Sequence, residues 1–314
     1  MVDARTSSHS PKPGLVHEAL IYHDEAEFDA AMHAFLHDAA DAGEPVLVAL
    51  PGPHLDRVRE TLGDAMAGTH CEDLERVARN PSCLLSMIEE WVASHDGRAR
   101  VVSEVVWPGR PHAEAVEALR HEALVNLALA GSGATIMTPF DARHLDAEIL
   151  AGIEMTHPTV VEGGRRRAGA AYTDPLSTAF GELWPLDDPA GPVTEHPLDG
   201  SLRELRRAIA EDPALASLSA ERRSDLVFAI NEAASNAVKH GNARCTTRIW
   251  HDGDEVVTEV CSRSGVRDVM AGRRRPAADA LEGRGLWLIN QVCDLVELRS
   301  GASGMTLRMH IKEH

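Results

Sequence analysis

Three polar side chains follow one another at helical spacing in the stretch LVFAINEAASNAVKHG, Leu226 to Gly241: Glu232, Asn236 and His240. At i, i+4 and i+8 they stack as a stripe along one flank of a helix. A carboxylate and an amide one turn apart, half sheltered, suit a particular job. The carboxylate orients or deprotonates a nucleophile, while the amide oxygen ligates Mg²⁺ beside a polyphosphate. Taken alone, the stripe reads more readily as a solvated helix edge. The helix that carries it must pack against something large, because Leu226, Val227, Ile230, Ala233, Ala234, Ala237 and Val238 form a broad apolar arc. Gly241 ends it.

The segment EGRGLWLINQVCDLVEL, Glu282 to Leu298, supplies the company that the stripe needs. It is a Gly-x-Gly turn opening an amphipathic helix, and glycines there let backbone N–H groups approach an anion at a helix N-terminus. Between the two helices lies a hairpin, Cys245 to Trp250 and Val256 to Cys261 around Asp252-Gly253-Asp254, and after them a Gly-x-Thr strand with Gly304 and Thr306.

NEAASNAVKHG and GRGLWL, in this order and at this separation, resemble the N box and second glycine box of the GHKL ATPase superfamily, and within it the anti-sigma-factor serine kinases. The resemblance covers the last third of the chain. It implies an α/β sandwich of the Bergerat type that binds ATP and Mg²⁺: Asn236 on the metal, Glu232 as base towards an accepting serine, and Gly283, Arg284 and Gly285 closing over the phosphates. It also places His240, Ser262, Gly265, Leu286 and Thr306 at the nucleotide. The implied partner is an anti-sigma factor antagonist of the STAS type, a sigma factor, or both. One departure stands out: the family has Asp-x-Gly-x-Gly, whose Asp receives the adenine amine, where this chain reads EVCSRSGVRD, Glu259 to Asp268. Aligned on Gly265, the Asp position is Arg263; aligned on Glu259 and Val260 with one residue inserted, it is Ser262. Serine accepts a hydrogen bond from the amine and arginine does not.

The N-terminal half reads as βα units of a parallel sheet. Strands are expected at Leu15–Tyr22, Pro45–Leu50, Arg100–Val106 and Ala134–Pro139. Helices are expected at Glu25–Ala42, Asn80–His95 and His112–Ala130, with a short one after Asp141. The turn PGPHLDR after the second strand lacks the glycine pattern and the Gly-Lys-Ser/Thr of a phosphate-binding loop, so no hydrolytic site is expected there. GEPVLVALPG, SEVVWPGR and RHEALVNLALA resemble the MEDS sensory domain, a degenerate RecA-like module, from about Leu15 to Tyr172. The resemblance implies a small-molecule effector of unknown identity. A pocket is expected at the carboxyl ends of the strands, near His17, Glu18, Glu104, Trp107, Arg120, His121 and Glu122. Glu104 leads this set because a carboxylate in the apolar strand SEVVW needs a partner.

The expected organisation is therefore a disordered tail at 1–14, a sensory domain at 15–172, a linker at 173–194 within the Gly- and Pro-rich stretch Gly163 to Pro197, and an ATPase-like domain at 195–314. Tyr172, Phe180 and Trp184 are expected to dock the linker, and Arg165 to Arg167 to form a solvated turn. Leu198–Glu211 reads as a first helix of the second domain, and Ser219 as a cap for the N-box helix. By the resemblance, Gly265 to Gly283 is the lid over the nucleotide, and its Arg273 to Arg275 read equally as phosphate ligands on closure or as a mobile basic loop. The formal net charge of −18 over 314 residues argues against nucleic acid as partner. No apolar run is of membrane-spanning length and MVDARTSSHSPKPG has no apolar signal core, so a cytoplasmic protein is expected. Five scattered cysteines read as reduced thiols. His33 and His37, at i, i+4, read as a surface pair rather than a metal site.

The function expected is that of a sensor-coupled, anti-sigma-factor-type serine/threonine kinase acting in transcription regulation. No histidine on a long dimerising helix precedes the ATPase unit, which disfavours histidine autophosphorylation; a homodimer is left open. The alternative is a protein that keeps the fold without turnover and sequesters a sigma factor or antagonist under control of the sensory domain.

Overall fold

The computed structural model describes residues 14–180, 183–198, 200–241, 245–263, 268–277, 283–301 and 304–313. The chain begins β1 (Val16–Tyr22), α1 (Glu25–Ala42), β2 (Val46–Leu50), α2 (Gly52–Leu62), β3 (His70–Asp73), α3 (Leu74–Val77), α4 (Leu84–Ser94) and β4 (Arg100–Ser103). It continues α5 (His112–Ala128), β5 (Thr135–Asp141), α6 (Ala147–Thr156), β6 (Thr159–Glu162), β7 (Arg165–Ala168), α7 (Pro175–Phe180) and β8 (Thr194–Pro197). The last third is α8 (Leu202–Ala210), α9 (Ala220–Gly241), β9 (Cys245–Asp252), β10 (Glu255–Ser262), α10 (Arg284–Val292), β11 (Leu295–Gly301) and β12 (Gly304–Lys312). The fold is mixed α/β, with two compact units. The first takes the chain up to Asp73, Ile88–Pro108 and Val125–Tyr172; the second takes Leu74–Met87, Gly109–Leu124 and Thr173–His314.

The first unit holds a seven-stranded sheet in the order β3-β2-β4-β5-β1-β6-β7, parallel throughout except that β7 runs antiparallel to β6. Strands of such a sheet are covered on both faces, which is why VLVAL in β2 is apolar at every position and fully buried. The α1 helix starts where Asp24 accepts a hydrogen bond from the Glu27 N–H and stops at Gly43, whose φ of 64° is left-handed. Its inward residues Phe28, Met32, Phe35, Leu36 and Ala39 pack on Leu20, Tyr22, Val48, Leu50, Leu55 and Val58, each large side chain contributing roughly 1.5–3 kcal/mol. Arg165 to Arg167, expected as a turn, form the edge strand β7, where Arg166 pairs with Glu18 and Arg167 with Glu154. An edge strand tolerates such charge because one side of it faces solvent.

The second unit holds a five-stranded antiparallel sheet, β11-β12-β10-β9-β8. One face packs on α8, α9 and α10 through Leu205, Ile209, Leu226, Ile230, Ala233, Ala234, Ala237, Ile289, Val256, Val260 and Leu307. β8 falls partly in the expected linker; it pairs only with β9, an edge position where Pro197 is permitted. Trp184 is buried as expected, while Tyr172 is exposed. Leu74–Met87 and Gly109–Leu124, which the sequence places with the first domain, group with this unit, and polar side chains in them find partners there. Arg79 pairs with Asp294 at 2.7 Å and Glu114 with Lys312 at 3.3 Å.

The other face of this sheet carries charge in register. Arg248, Glu259, Arg308 and Glu297 form a row across β9, β10, β12 and β11. Glu259 joins Arg248 at 2.7 Å and Arg308 at 2.7 Å, opposite charges at directly facing positions. In the next rows of β12 and β10, His310 sits between Glu255 and Glu297, 2.9 Å from each. Burial disfavours its charge, but the two carboxylates outweigh that and push its pKa up to about 9. A raised folded-state pKa stabilises fully below the unfolded value near 6.5 and ceases to do so as pH rises through 9. We therefore expect His310 to contribute roughly 3 kcal/mol at pH 6, lost by pH 10. Denaturant titrations across that range should show a decline in the wild type that is flattened in His310→Gln.

Candidate functional site

Ser219 accepts the Arg222 N–H at the start of α9, and the helix then runs unbroken to Gly241. Its apolar face is locked in the core, so Glu232 and Asn236, both half-buried, are held on a fixed flank. The α10 helix begins beside them. Its cap, Gly283, has φ of 84° and offers no side-chain acceptor, which leaves the first N–H groups of α10 without an intrahelical partner. Gly285 follows in the first turn. A Cβ there would lie 2.9 Å from Glu232 Oε2 and 3.2 Å from Asn236 Nδ2. Glycine is thus what allows the α10 N-terminus to close on the two polar side chains.

Ser262 ends β10 on the helix-covered face, in the same alternation as Val260, and is nearly buried. Gly304 of β12 comes against it, since a Cβ at its φ of 128° would sit 2.1 Å from the Ser262 carbonyl oxygen. Leu286 packs against the core and Arg284 is exposed. Thr306 does not join this group. Its register with Cys261, and the contact of 3.7 Å from its hydroxyl to Cys261 Sγ, put it on the opposite face of the sheet. Met305 takes the helix-facing position. Gly265 lies outside the described residues, as does the side chain of His240. Arg273 differs from the expectation of a mobile phosphate ligand: it is buried on Glu117 at 3.2 Å, and of the three arginines Arg274 and Arg275 are exposed.

An amide and a carboxylate present the oxygen donors that a hard divalent cation takes. The uncapped turn behind Gly283, cleared of a Cβ at Gly285, is a cradle for an anion. Glu232, Asn236 and the α10 turn fit a metal–nucleotide group.

The residues expected to form one sensory pocket are distributed. Glu104 lies one residue beyond the end of β4 rather than mid-strand, at the carboxyl end of the sheet, and is fully buried. Tyr22 OH donates to its Oε1 at 3.2 Å, and His54 Nδ1 lies 2.5 Å from its Oε2. Burial raises the Glu104 pKa against the opposing pull of these two partners. His54, in the first turn of α2, also stacks on Phe28 at 4.2 Å. It was not singled out from sequence, although its place in PGPHLDR, directly after a buried strand, is the signal that could have found it. Trp107 is half-buried in the loop after Glu104. His17 and Glu18 are at the other, amino-terminal end of β1: His17 meets Asn126 at 3.0 Å and the ring of His157 at 4.4 Å, and Glu18 is bound to Arg166. Arg120, His121 and Glu122 are buried on the part of α5 that belongs to the second unit, where Arg120 donates to the Leu298 carbonyl at 2.8 Å. His33 and His37 stack on α1 with rings 6.4 Å apart.

No helix among the described residues is long and apolar enough to cross a membrane. Residues 16–158 match the family model for MEDS, the methanogen/methylotroph DcmR sensory domain. Residues 196–311 match the model for a histidine kinase-like ATPase domain. No curated protein matches the chain with significance.

The Gly285 contact makes a specific expectation. In Gly285→Ala the new methyl meets the ends of two flexible side chains, so they move; the gain in helix propensity of about 1 kcal/mol offsets most of the crowding. The urea midpoint should stay near that of the wild type while the side-chain amide signals of Asn236 in NMR spectra are displaced. Unmoved Asn236 signals would mean that α10 does not approach α9 this closely.

Proposed function

We propose that this chain, which carries a MEDS domain ahead of a histidine kinase-like ATPase domain, is a sensor-coupled protein-serine kinase of the anti-sigma-factor type. The observation that carries the reading is the meeting of Glu232, Asn236 and the uncapped α10 turn at Gly285. Asn236 would hold a Mg²⁺ ion, and the first N–H groups of α10 would hold phosphate oxygens of ATP. The metal, when bound, supplies neutralisation of the charge on the transferring phosphoryl group. Glu232 orients a serine hydroxyl of the partner and takes up the proton it loses as its oxygen bonds to phosphorus and ADP leaves. Phosphoryl transfer asks mainly for positioning and charge neutralisation, so this small set suffices. The partner is an antagonist protein of the STAS type, and a cytoplasmic setting follows from that. A small-molecule effector is read by the first unit, with the buried Tyr22–Glu104–His54 group at the carboxyl ends of its strands as the place to look.

A second reading is favoured by one departure in the sequence: where the resembled family has a carboxylate for the adenine amine, this chain aligns either Ser262, a neutral acceptor, or Arg263, which accepts nothing. A binding protein that holds its partner without phosphorylating it would have this character. Incubation of the full-length protein with labelled ATP, Mg²⁺ and candidate antagonists separates the two. The kinase reading expects transfer to serine, reduced at least about a thousandfold in Glu232→Gln, where the proton acceptor is gone. Transfer that survives in this variant would remove Glu232 from its role, and stable complex formation with no transfer would favour the binding protein.

A further inference from the structure

The buried cluster around Glu117 is a part of the second unit that the proposed nucleotide site does not explain. Glu117, on α5, has no solvent exposure, and its carboxylate gathers three guanidinium groups. Oε1 lies 2.5 Å from Arg299 Nη1 on β11 and 3.1 Å from Arg120 Nε on its own helix; Oε2 lies 3.2 Å from Arg273 Nη2. Arg120 and Arg299 have further anchors. Arg120 donates to the Leu298 carbonyl, and Arg299 donates to the Trp184 carbonyl and pairs with Glu297. Arg273 is buried too, and among the described residues its Nη1 has no hydrogen-bond partner.

Arg273 sits in the stretch that joins β10 to α10. The neighbouring Gly272, at φ of 78°, is pressed onto α10: a Cβ there would lie 2.8 Å from Asn290 Nδ2 and 3.0 Å from Leu286 Cβ. Asn290 donates to the Gly272 carbonyl at 2.9 Å and in turn receives Asn80 Nδ2 at 2.9 Å. The stretch is thus gripped on one side by α10, through neutral hydrogen bonds, and on the other by α5, through the ion pair of Arg273 with Glu117. A buried guanidinium that loses its carboxylate has no cheap intermediate position, so this pair is either made or the stretch lifts towards water.

We propose that Glu117 is a positioning residue that fixes residues 268–277, between β10 and α10, through Arg273, so that the order of this segment against α10 depends on where α5 stands. The α5 helix lies within the residues matched by the sensory-domain model. Its grip on Arg273 gives that region a hold on a segment that is itself packed against α10 through Asn290 and Leu286. The hold itself is independent of nucleotide; its regulatory meaning rests on the function proposed above.

Hydrogen exchange of the full-length protein, measured without nucleotide, tests the hold separately from that function. Amides of residues 269–275 should exchange at least tenfold faster in Glu117→Gln, a change made far away in sequence, while β9, β10 and β12 keep their protection. If that variant does not fold, Arg273→Met decides, because it leaves Glu117 with Arg120 and Arg299: the same local acceleration is expected. The Arg273 contact is a single N–H···O bond, so Arg273→Lys, which keeps the charge, should restore most of the protection. Wild-type exchange at 269–275 in a folded Arg273→Met protein would overturn the proposal, as would equal loss in the lysine and methionine variants.

Discussion

The approach of α10 to α9 is the contact on which the candidate site depends. Two helices ordinarily keep side chains between them, and 8–10 Å between axes. At Gly285 there is no side chain, and the gap is filled instead by the polar ends of Glu232 and Asn236. Everything that the site can do follows from this substitution of polar for apolar contact at one turn. The first turn of α10, with no side-chain cap at Gly283, comes beside an amide and a carboxylate, and the apolar arc of α9, buried against the five-stranded sheet, keeps that flank from rotating away.

Around this contact the second unit invests in buried charge. The row Arg248–Glu259–Arg308–Glu297 crosses the sheet, His310 bridges two carboxylates, and Glu117 collects three arginines. Such pairs add little to net stability once desolvation is counted, yet removing one partner is costly. Their effect is to make particular arrangements discrete. For the sheet this means a fixed register; for the β10–α10 stretch it means a position set by a residue on α5. The first unit uses the same device more sparingly, with Glu104 held by Tyr22 and His54 at the carboxyl end of its sheet.

Periodicity was enough to read the long elements. The α1 bounds, from Glu25 to the glycine stop at Gly43, and the hairpin around Gly253 follow from cap and turn chemistry that is local in sequence. Glu232, Asn236 and Gly285 were legible because their types and spacing carry the chemistry themselves. What was not legible depends on long-range pairing. Strand alternation decides that Ser262 faces the helices and Thr306 does not, and the alternation cannot be phased without knowing where β10 pairs. Glu117 and Arg273 are far apart in the chain, and nothing in HAEAVEALRHEA marks the one glutamate that will be buried among arginines. For the same reason the sensory residues looked like a single group, although His17 and Glu18 stand at the amino end of β1 and Glu104 at the carboxyl end of the sheet.

Whether the space beside Gly285 is a nucleotide site is the central claim. Calorimetric titration of the full-length protein with ATP in the presence of Mg²⁺ tests it most directly, since Leu74–Met87 and Gly109–Leu124 belong to the same compact unit as the ATPase-like region and should be kept. The account predicts saturable binding at one site that is lost in Asn236→Ala and weakened when Mg²⁺ is chelated. No binding to the folded wild type, or binding indifferent to Asn236, would contradict it.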